Sequence, residues 1–303
     1  MLPNTEIRIE TVSDCNSHCT ICPREKMTRP IMTMGKLHFE YLVDQAVDLG
    51  AALVTPFGHG EPLLDPKIED RIQYCTNYGL DTFITTNASL LTMDRAKALL
   101  DSGLGHIRFS CHGIGSDYNK VHRGLSWDET LSNIEMFLEL NAACNFDSCV
   151  VSVSVIPMHD ELVGDIRTFW ESRPIDFLEI WRPHGWAGGR SYRSVETRKK
   201  SCGRPFNGPI QIMADGRFIA CCFDFNGELV IGDTHTSSID FILNGEPLRR
   251  LRSKHESGDL KGLLCERCDQ LNIEDKSPLL YSSRDNTREV GKTSSAKTKL
   301  KEM

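Results

Sequence analysis

Hydrophobic positions in the first two thirds of the chain follow two spacings in turn, one typical of a strand and the next typical of a helix. Residues 7–12 form a strand-like run. Between Lys36 and Leu49 the apolar residues recur every three or four positions, and Gly50 ends the pattern. A strand followed by a helix is therefore the first unit, and it recurs along the chain.

The later strands and helices follow the same order. The other predicted strands are residues 52–57, 82–86, 106–110, 149–156 and 177–181. The other predicted helices are residues 67–78, opened by Asp65 as N-cap and Pro66, 92–100, 126–140, opened by a capping box of Ser126 and Glu129, and 160–171. Strands alternating with helices predict a parallel α/β sheet with helical crossovers, either open and doubly wound or curled toward a barrel. In both cases functional residues collect at the C-terminal ends of the strands.

The pattern changes at Cys202. Short strands are predicted around the turn Ala214-Asp215-Gly216, followed by helices near 238–243 and 247–254. We therefore expect a large domain at 1–200 and a small α+β domain at 201–276. Residues 277–303 are rich in Ser, Thr, Lys and Arg, which predicts a flexible polar tail.

Composition limits the class of protein. The chain has 303 residues, of which 40% are hydrophobic and 25% charged, with a net charge of -7, as in ordinary globular proteins. No apolar run approaches the ~20 residues that span a bilayer, and no signal peptide is evident, so we expect a cytoplasmic protein without membrane contact. The acidic balance disfavours binding to nucleic acid.

Twelve cysteines stand out. A long chain without a secretory signal does not suit a disulfide framework, and three of the cysteines, Cys15, Cys19 and Cys22, lie within eight residues after the first strand. A zinc site here needs a fourth donor, for which His18 is available. A four-iron cluster held by these three thiolates leaves one iron without a protein ligand, where a substrate or cofactor can bind.

This three-cysteine loop, directly after the first strand of a βα repeat, resembles the radical S-adenosylmethionine (SAM) superfamily. The resemblance implies a partial (β/α)6 TIM-like barrel. It also implies that Cys15, Cys19 and Cys22 hold a [4Fe-4S] cluster whose open iron is chelated by SAM. Relatives often carry an aromatic residue before the third cysteine, where Ile21 supplies apolar cover here.

A second motif supports the first. Gly58-His59-Gly60-Glu61-Pro62 after the second strand resembles the family's GGEP motif, with His59 in place of a glycine. The resemblance implies that Gly60 lets the backbone approach SAM and that Glu61 hydrogen-bonds its ammonium group. Taken alone, this segment would be a turn before a helix.

Three further positions match the family more weakly. Asn87 follows a Thr-Thr pair, where many relatives have a Thr-Asn-Gly that lines the SAM site. Ser110, which ends the fourth strand, and Arg123 resemble a serine and an arginine that contact the SAM carboxylate. Without the resemblance they would be a strand-end hydroxyl and a surface arginine.

The C-terminal cysteines form two pairs. Cys202 and Cys221, with Gly216 between them, are followed by Cys265 and Cys268. On spacing alone this is a zinc ribbon. Beside the first domain, the pattern resembles the SPASM and twitch extensions of radical SAM enzymes, which bind auxiliary iron–sulfur clusters. Because no cysteine follows Cys268, we predict one auxiliary [4Fe-4S] cluster held by these four cysteines.

The remaining candidates are weaker. Cys222 stands beside the auxiliary ligands as a hydrogen-atom donor, a substrate contact or a buried apolar thiol. Candidate bases or substrate contacts are Arg182, His184, His112 and Asp224, each of which is equally well read as structural. Four further cysteines are predicted to be core residues: Cys75, Cys111, Cys144 and Cys149.

The resemblance implies a function. An external donor such as flavodoxin or ferredoxin would reduce the first cluster, SAM would be cleaved to methionine and a 5'-deoxyadenosyl radical, and the radical would abstract hydrogen from the substrate. Electron transfer to the auxiliary cluster would give dehydrogenation, and hydrogen return from a thiol would give epimerisation. Because Cys15 lies too early for a preceding peptide-recognition domain, we expect a small polar substrate such as a sugar or aminocyclitol. A peptide-modifying maturase and a non-catalytic iron–sulfur or zinc protein are the alternatives.

Overall fold

The computed structural model describes residues 2, 4–144, 149–192 and 197–272, and the backbone of 278–283 and 288–289. Its strands are β1 Glu6–Ile9, β2 Leu53–Thr55, β3 Asp81–Thr86, β4 His106–Ser110, β5 Val150–Val155, β6 Phe177–Trp181, β7 Ile210–Ile212, β8 Arg217–Ile219, β9 Val230–Asp233, β10 Pro278–Ser283 and β11 Arg288–Glu289. Its helices are α1 Lys36–Asp48, α2 Ile68–Asn77, α3 Met93–Asp101, α4 Ser116–Val121, α5 Trp127–Ala143, α6 Val163–Glu171, α7 Arg204–Asn207, α8 Ile239–Leu243 and α9 Glu246–Ser257.

All described strands belong to one sheet, in the order β11-β10-β6-β5-β4-β3-β2-β1-β7-β8-β9. Strands β1 to β6 are parallel and pair in sequence order. Residues of β1 and of β6, at opposite ends of this parallel part, line one cavity, so the sheet is curled. The predicted partial (β/α)6 barrel is therefore confirmed.

The helices form where the spacing predicted them. The buried side of α1 carries Phe39, Leu42, Val43 and Ala46, which are spaced to share one helical face. Ser126 is the N-cap of α5, as predicted, and its hydroxyl accepts a hydrogen bond from the Glu129 backbone N–H. The local sequence of these helices therefore agrees with the helical structure that the fold contains.

The second domain continues the sheet of the first. Strand β7 pairs in parallel with β1, and β8 and β9 follow antiparallel. One hydrophobic core joins α1, β1 and β2 to β7–β9, α8 and α9, whereas a second core lies between β3–β6 and the helices α3, α5 and α6. The small domain is thus anchored on the first strand of the barrel.

The structure differs from the predictions in three places. Asp65 is not the N-cap of α2, because its carboxylate accepts from the Lys67 N–H and from Arg71 Nε, and the helix begins at Ile68. Helix α4 was not predicted. Within the predicted polar tail, Pro278–Ser283 is a strand antiparallel to β6, while residues 277, 284–287 and 290–303 lie outside the described residues.

Among the described helices, none combines the length and apolar character that crossing a bilayer requires.

Candidate active site

A cavity of about 460 Å³ opens at the C-terminal ends of the barrel strands. The residues of β1 and of β3–β6 that line it are mainly polar: Arg8, Thr85, Thr86, Arg108, Ser110, Ser154, Glu179 and Trp181. Their neighbours along the strands, such as Ile107 and Phe109, are buried in the core. The period-two alternation therefore separates a polar interior from an apolar outer layer.

The three thiols of the N-terminal loop line this same cavity. The loop is hydrogen-bonded to the C-terminal end of α4 and to the residues after it, because the His18 and Thr20 backbone N–H groups donate to the carbonyls of Arg123 and Val121 at 3.0 and 2.9 Å. Burial raises the pKa of the Cys15 thiol to about 11 and that of Cys19 to about 12. Such thiols are costly to ionise without a cation, and a bound metal cluster supplies the positive charge that offsets this cost.

The donor set fits an iron–sulfur cluster. Across the described residues, no three Cys, His, Asp or Glu side chains stand close enough to bind one metal ion. The thiolates of a four-iron cluster bind different irons, so they stand further apart than the donors of a single ion. Ile21, which is buried and packs on Val121 and Ile156, provides the expected apolar cover.

Gly60 lies against the cysteine loop. A Cβ at this position would stand 2.2 Å from the Val12 carbonyl oxygen and 2.6 Å from that of Asp14, so only glycine fits. The next residue donates its backbone N–H to the Asp14 oxygen at 2.7 Å. The close approach seen here is to the protein's own loop, and the approach of the Gly60 backbone to SAM stays a prediction.

Glu61 is buried at the cavity wall, 3% exposed. Its carboxylate accepts hydrogen bonds from the Thr86 hydroxyl at 2.6 Å and from the backbone N–H groups of Leu63 and Asn87 at 3.0 and 2.8 Å. Burial raises the pKa of Glu61, and these three donors oppose the rise. These hydrogen bonds of Glu61 therefore hold the loop that follows β2 against the end of β3. The contact of Glu61 with the ammonium group of SAM stays a prediction.

Asn87 links two loops of the site. Its side-chain amide donates to the Asn16 side chain at 2.9 Å, and Asn16 in turn donates to the Ser89 hydroxyl at 2.8 Å. The following residue, Ala88, has φ 60°, a left-handed conformation that costs a non-glycine residue about 1–2 kcal/mol. A glycine at this position would adopt the same conformation without that cost.

Ser110 lines the cavity at the end of β4, as predicted, whereas Arg123 does not. Arg123 is exposed, and its backbone carbonyl accepts from His18 N–H and lies 3.3 Å from the Ser17 hydroxyl. Arg123 therefore contacts the cysteine loop through its backbone carbonyl. The contact of its side chain with the SAM carboxylate stays a prediction.

Two stacked histidines lie between the β4 end and the cysteine loop. The His112 and His122 ring centroids are 4.9 Å apart, and the His112 backbone N–H donates to His122 Nε2 at 3.0 Å. Burial lowers the pKa of His112 to about 3. Because His112 Nδ1 accepts the Ile156 N–H at 3.2 Å, the neutral ring carries its proton on Nε2. The neutral ring therefore has its Nε2–H available as a hydrogen-bond donor, and the role of His112 as a substrate contact or base stays a prediction.

A charged pair lies deeper in the cavity. Arg108 Nη1 stands 3.4 Å from Glu179 Oε2, which also accepts from Trp181 Nε1 at 3.1 Å. Among the described residues Arg108 Nε has no hydrogen-bond partner. The site thus offers unused donors and a carboxylate to a polar ligand.

The four C-terminal cysteines line a second cavity of about 310 Å³. They are Cys202, Cys221, Cys265 and Cys268. The structure therefore brings together the two predicted pairs, which lie more than forty residues apart in the sequence. Their donor chemistry fits a fully ligated cluster.

A single layer of side chains separates the two cavities. Arg204, Phe223 and Gln270 line both of them. Cys222 faces the first cavity, and Cys221 faces the second. The consecutive residues Cys221 and Cys222 therefore line different cavities.

The structure separates the weaker candidates. His184 and Cys222 line the first cavity. Arg182 instead contacts the Asp160 carboxylate at 2.5 Å, outside the described cavity lining. Asp224 is 1% exposed, and its carboxylate accepts from the Glu228 and Leu229 N–H groups at 2.7 and 2.6 Å. Both side chains are therefore engaged in other contacts, and the roles of substrate contact or base suggested for Asp224 and Arg182 stay predictions.

A buried ion pair joins the site to the small domain. Arg29 and Glu10 form two contacts of 2.5 and 2.6 Å, with side chains 3% and 2% exposed. The same carboxylate accepts from the His59 and Ala214 backbone N–H groups at 2.9 and 3.0 Å, and Arg29 Nε donates to the Phe225 carbonyl. The pair therefore fixes the β2 loop against the second domain.

Sequence reasoning missed several residues of the site. Among them are the Arg108–Glu179 pair, the Glu10–Arg29 pair, His122, which contacts Cys19, and Arg204, which lies beside Cys222. None stands in a local motif. For the Glu10–Arg29 pair, the one available signal was Glu10, a charged residue within the predicted first strand. A buried strand rarely carries an unpaired charge, so Glu10 indicated a buried partner of opposite charge.

The core cysteines were predicted with more success. Cys75, Cys111 and Cys149 are buried in the hydrophobic cores, as expected. Cys144 is half-buried at the C-terminal end of α5.

Comparisons with families of known proteins agree with this geometry. The family model described as the radical SAM superfamily matches residues 9–166, more than half of the chain. A second model, described as an iron–sulfur cluster-binding domain, SPASM, matches residues 202–269.

Individual relatives are more distant. The chain is 27% identical over 203 residues to a GTP 3',8-cyclase of Chlorobaculum tepidum, an alignment that covers 62% of this chain and 59% of that protein. It is 25% identical over 130 residues to an AdoMet-dependent heme synthase of Methanosarcina barkeri, covering 42% and 37% of the two chains. The chain thus spans less than two thirds of these relatives.

Solved structures share the fold over most of the chain. BtrN in complex with AdoMet and 2-DOIA is similar with a TM-score of 0.61 and 21% identity, over 89% of this chain and 94% of that one. SuiB of Streptococcus suis bound to the precursor peptide SuiA is similar with a TM-score of 0.68 and 16% identity, over 89% and 70%.

Proposed function

The chain belongs to the radical SAM superfamily, and we propose that it is an oxidoreductase or epimerase that abstracts hydrogen from a small polar substrate, such as a sugar or aminocyclitol. One observation carries this proposal: the three thiols, the Gly-x-Gly-Glu-Pro loop and the polar interior of the barrel all face one cavity. When bound, the cluster and SAM supply a 5'-deoxyadenosyl radical for hydrogen abstraction. An external flavodoxin or ferredoxin is the electron donor that we propose.

The chain's own residues hold and orient these groups. Cys15, Cys19 and Cys22 would hold the cluster, and the loop around Gly60 and the end of β4 at Ser110 would border SAM. The hydrogen bonds of Glu61 and of Asn87 keep the three loops in register. Loops held in this way need not move during the reaction to bring the reacting atoms of SAM and substrate together.

A small polar substrate is supported by the chemistry of the cavity. Arg108 has unused N–H donors beside the Glu179 carboxylate, and Ser154 adds a hydroxyl on the next strand. The hydroxyl and amino groups of a substrate can both form hydrogen bonds with these side chains. An apolar substrate would leave the polar groups of the side chains unpaired. The similar BtrN structure was solved with AdoMet and 2-DOIA, which is compatible with this class.

We propose that two side chains of the first cavity assist after hydrogen abstraction. Cys222 lies in the first cavity beside Arg204, and His184 lies near Trp181 and Phe223 at ring-centroid distances of 6.3 and 5.4 Å. We propose Cys222 as a hydrogen donor or substrate contact and His184 as a substrate contact. A thiol that returns hydrogen to the opposite face would give epimerisation.

We also propose that the four C-terminal cysteines hold one auxiliary [4Fe-4S] cluster. Their shared cavity adjoins the first across Arg204, Phe223 and Gln270. Anaerobically reconstituted protein would then contain about eight irons and eight sulfides per chain. Cys268→Ala should lower the iron content toward four, and Cys144→Ala should not. Equal iron content in the wild type and Cys268→Ala would contradict the second cluster.

The decisive test of the activity is anaerobic incubation with SAM and a strong reductant. The wild type and the control Cys144→Ala should form 5'-deoxyadenosine, whereas Cys19→Ala should not. A wild type with a full complement of iron that forms none would refute the proposed function and favour a non-catalytic iron–sulfur protein.

The substrate class requires its own experiment. Deuterium from a labelled aminocyclitol should appear in 5'-deoxyadenosine if the proposed class is correct. Transfer from a labelled peptide, with none from aminocyclitols or sugars, would instead establish the alternative of a peptide-modifying enzyme.

A further inference from the structure

His122 is a buried histidine outside the motifs, with one ring nitrogen against a cysteine of the N-terminal loop. Its exposure is 1%, and its Nδ1 lies 3.3 Å from Cys19 Sγ. The ring is held between two others, since its centroid is 4.2 Å from that of Tyr118 and 4.9 Å from that of His112. A ring fixed on both faces keeps its nitrogen in this place.

The position of the ring proton follows from the hydrogen bonds. His122 Nε2 accepts the backbone N–H of His112 at 3.0 Å, so this nitrogen presents its lone pair. A neutral imidazole has one N–H group, which must then be on Nδ1 and faces the sulfur. A doubly protonated ring is incompatible with the His112 contact, because the Nε2–H of His122 and the backbone N–H of His112 would then both be donors.

Cys19 differs in this respect from the other two thiols of the loop. Within the described residues, it is the one of the three whose sulfur has a side-chain nitrogen at hydrogen-bonding distance. The Ser17 hydroxyl, 3.1 Å away, is its second side-chain neighbour. This hydroxyl also lies 3.3 Å from the Arg123 carbonyl, to which it can donate its single proton.

We propose that His122 donates its Nδ1–H to the Cys19 thiolate and thereby raises the reduction potential of the SAM-binding cluster. This inference rests on the proposed function, in which Cys19 is a cluster ligand. An N–H donor at a ligating sulfur stabilises negative charge, and the reduced cluster carries one more electron than the oxidised one. His122, which also lines the first cavity, acts in this role through Cys19.

Two substitutions separate the hydrogen bond to sulfur from the packing of the ring. His122→Asn can place its amide N–H near the former Nδ1 position, and it loses the acceptor for His112. His122→Gln can reach the former Nε2 position to accept the His112 N–H, and it loses the donor to Cys19. The control His18→Gln makes the same change at an exposed residue of the same loop.

The potential is measured by a redox titration followed by electron paramagnetic resonance, using the cluster signal that changes when SAM is added. His122→Gln should have a more negative midpoint potential than the wild type, whereas His122→Asn should be closer to the wild type and His18→Gln unchanged. In protein labelled with 15N-histidine, a hyperfine coupling to the reduced cluster should be present in the wild type and absent in His122→Gln.

The outcomes distinguish the two levels of the argument. If His122→Gln holds the SAM-responsive cluster at an unchanged potential, the inference is wrong and the proposed function is unaffected. If His122→Gln does not assemble the cluster, an unshifted potential in His122→Phe, which keeps an aromatic ring in the stack, overturns the inference in the same way. A wild type without any SAM-responsive cluster overturns the proposed function and this inference with it.

Discussion

Replacement of Glu10 by glutamine should destabilise the protein strongly, although the two side chains have the same shape. Glu10 is 2% exposed, and each carboxylate oxygen accepts one hydrogen bond from Arg29 and one from a backbone N–H, of His59 or of Ala214. In Glu10→Gln the amide nitrogen must replace one of these oxygens. It would then face two donors, and Arg29 would be left as a buried charge without a counterion.

The magnitude follows from the burial of the pair. Removing one partner of a buried ion pair costs about 3–5 kcal/mol, because the remaining charge is uncompensated. For a chain of this length, about 2 °C of melting temperature is lost per kcal/mol, so the melting temperature should fall by about 6–10 °C. The matched control Glu40→Gln breaks an exposed i,i+4 contact of 3.6 Å with Lys36 and should cost less than about 0.5 kcal/mol.

Thermal unfolding of the anaerobic holoprotein, followed by circular dichroism, measures both variants. The double variant Glu10→Gln/Arg29→Met removes the stranded charge and should be more stable than Glu10→Gln alone. A melting temperature of Glu10→Gln equal to that of Glu40→Gln would refute the reasoning, as would a double variant less stable than the single one.

Two further predictions concern the site itself. Gly60→Ala should cost about 1–3 kcal/mol and weaken SAM binding measured by calorimetry, because the new Cβ would stand 2.2 Å from the Val12 carbonyl oxygen. The control Gly164→Ala, in a helix with open space, should instead stabilise by about 0.5–1 kcal/mol, and equal effects would contradict the argument. Burial lowers the pKa of His112 to about 3, below its unfolded value of about 6.5, so the unfolded chain binds the extra proton as the pH falls. The free energy of unfolding should therefore decrease by about 1 kcal/mol more between pH 6.5 and 5.5 in the wild type than in His112→Asn, and equal slopes in urea titrations would speak against a neutral buried ring.

Much of the barrel could be predicted because its signals are local. Alternation within β4 assigns Ile107 and Phe109 to the core and Arg108 and Ser110 to the interior, and a cap such as Ser126 fixes a helix end without any distant residue. Strand β10 was not predicted, because its pairing with β6 joins residues about a hundred positions apart and its sequence lies in a polar segment. Edge pairing of this kind depends on the partner more than on the sequence of the strand itself.

The candidate site divides in the same way. The sequence by itself determined the three thiols at the end of β1, the Gly-x-Gly-Glu-Pro loop and the family, because short spacings on one loop restrict where side chains can go. Only the tertiary structure decided that Glu61 fastens its loop to β3, that Asp224 and Arg182 are committed elsewhere, and that His122 contacts Cys19. Those roles depend on partners brought together by the curling of the sheet and by the docking of the small domain on β1. Hydrogen bonds between such distant residues leave no periodic or local trace in the sequence, so they can be assigned only once the fold has placed the donors and acceptors.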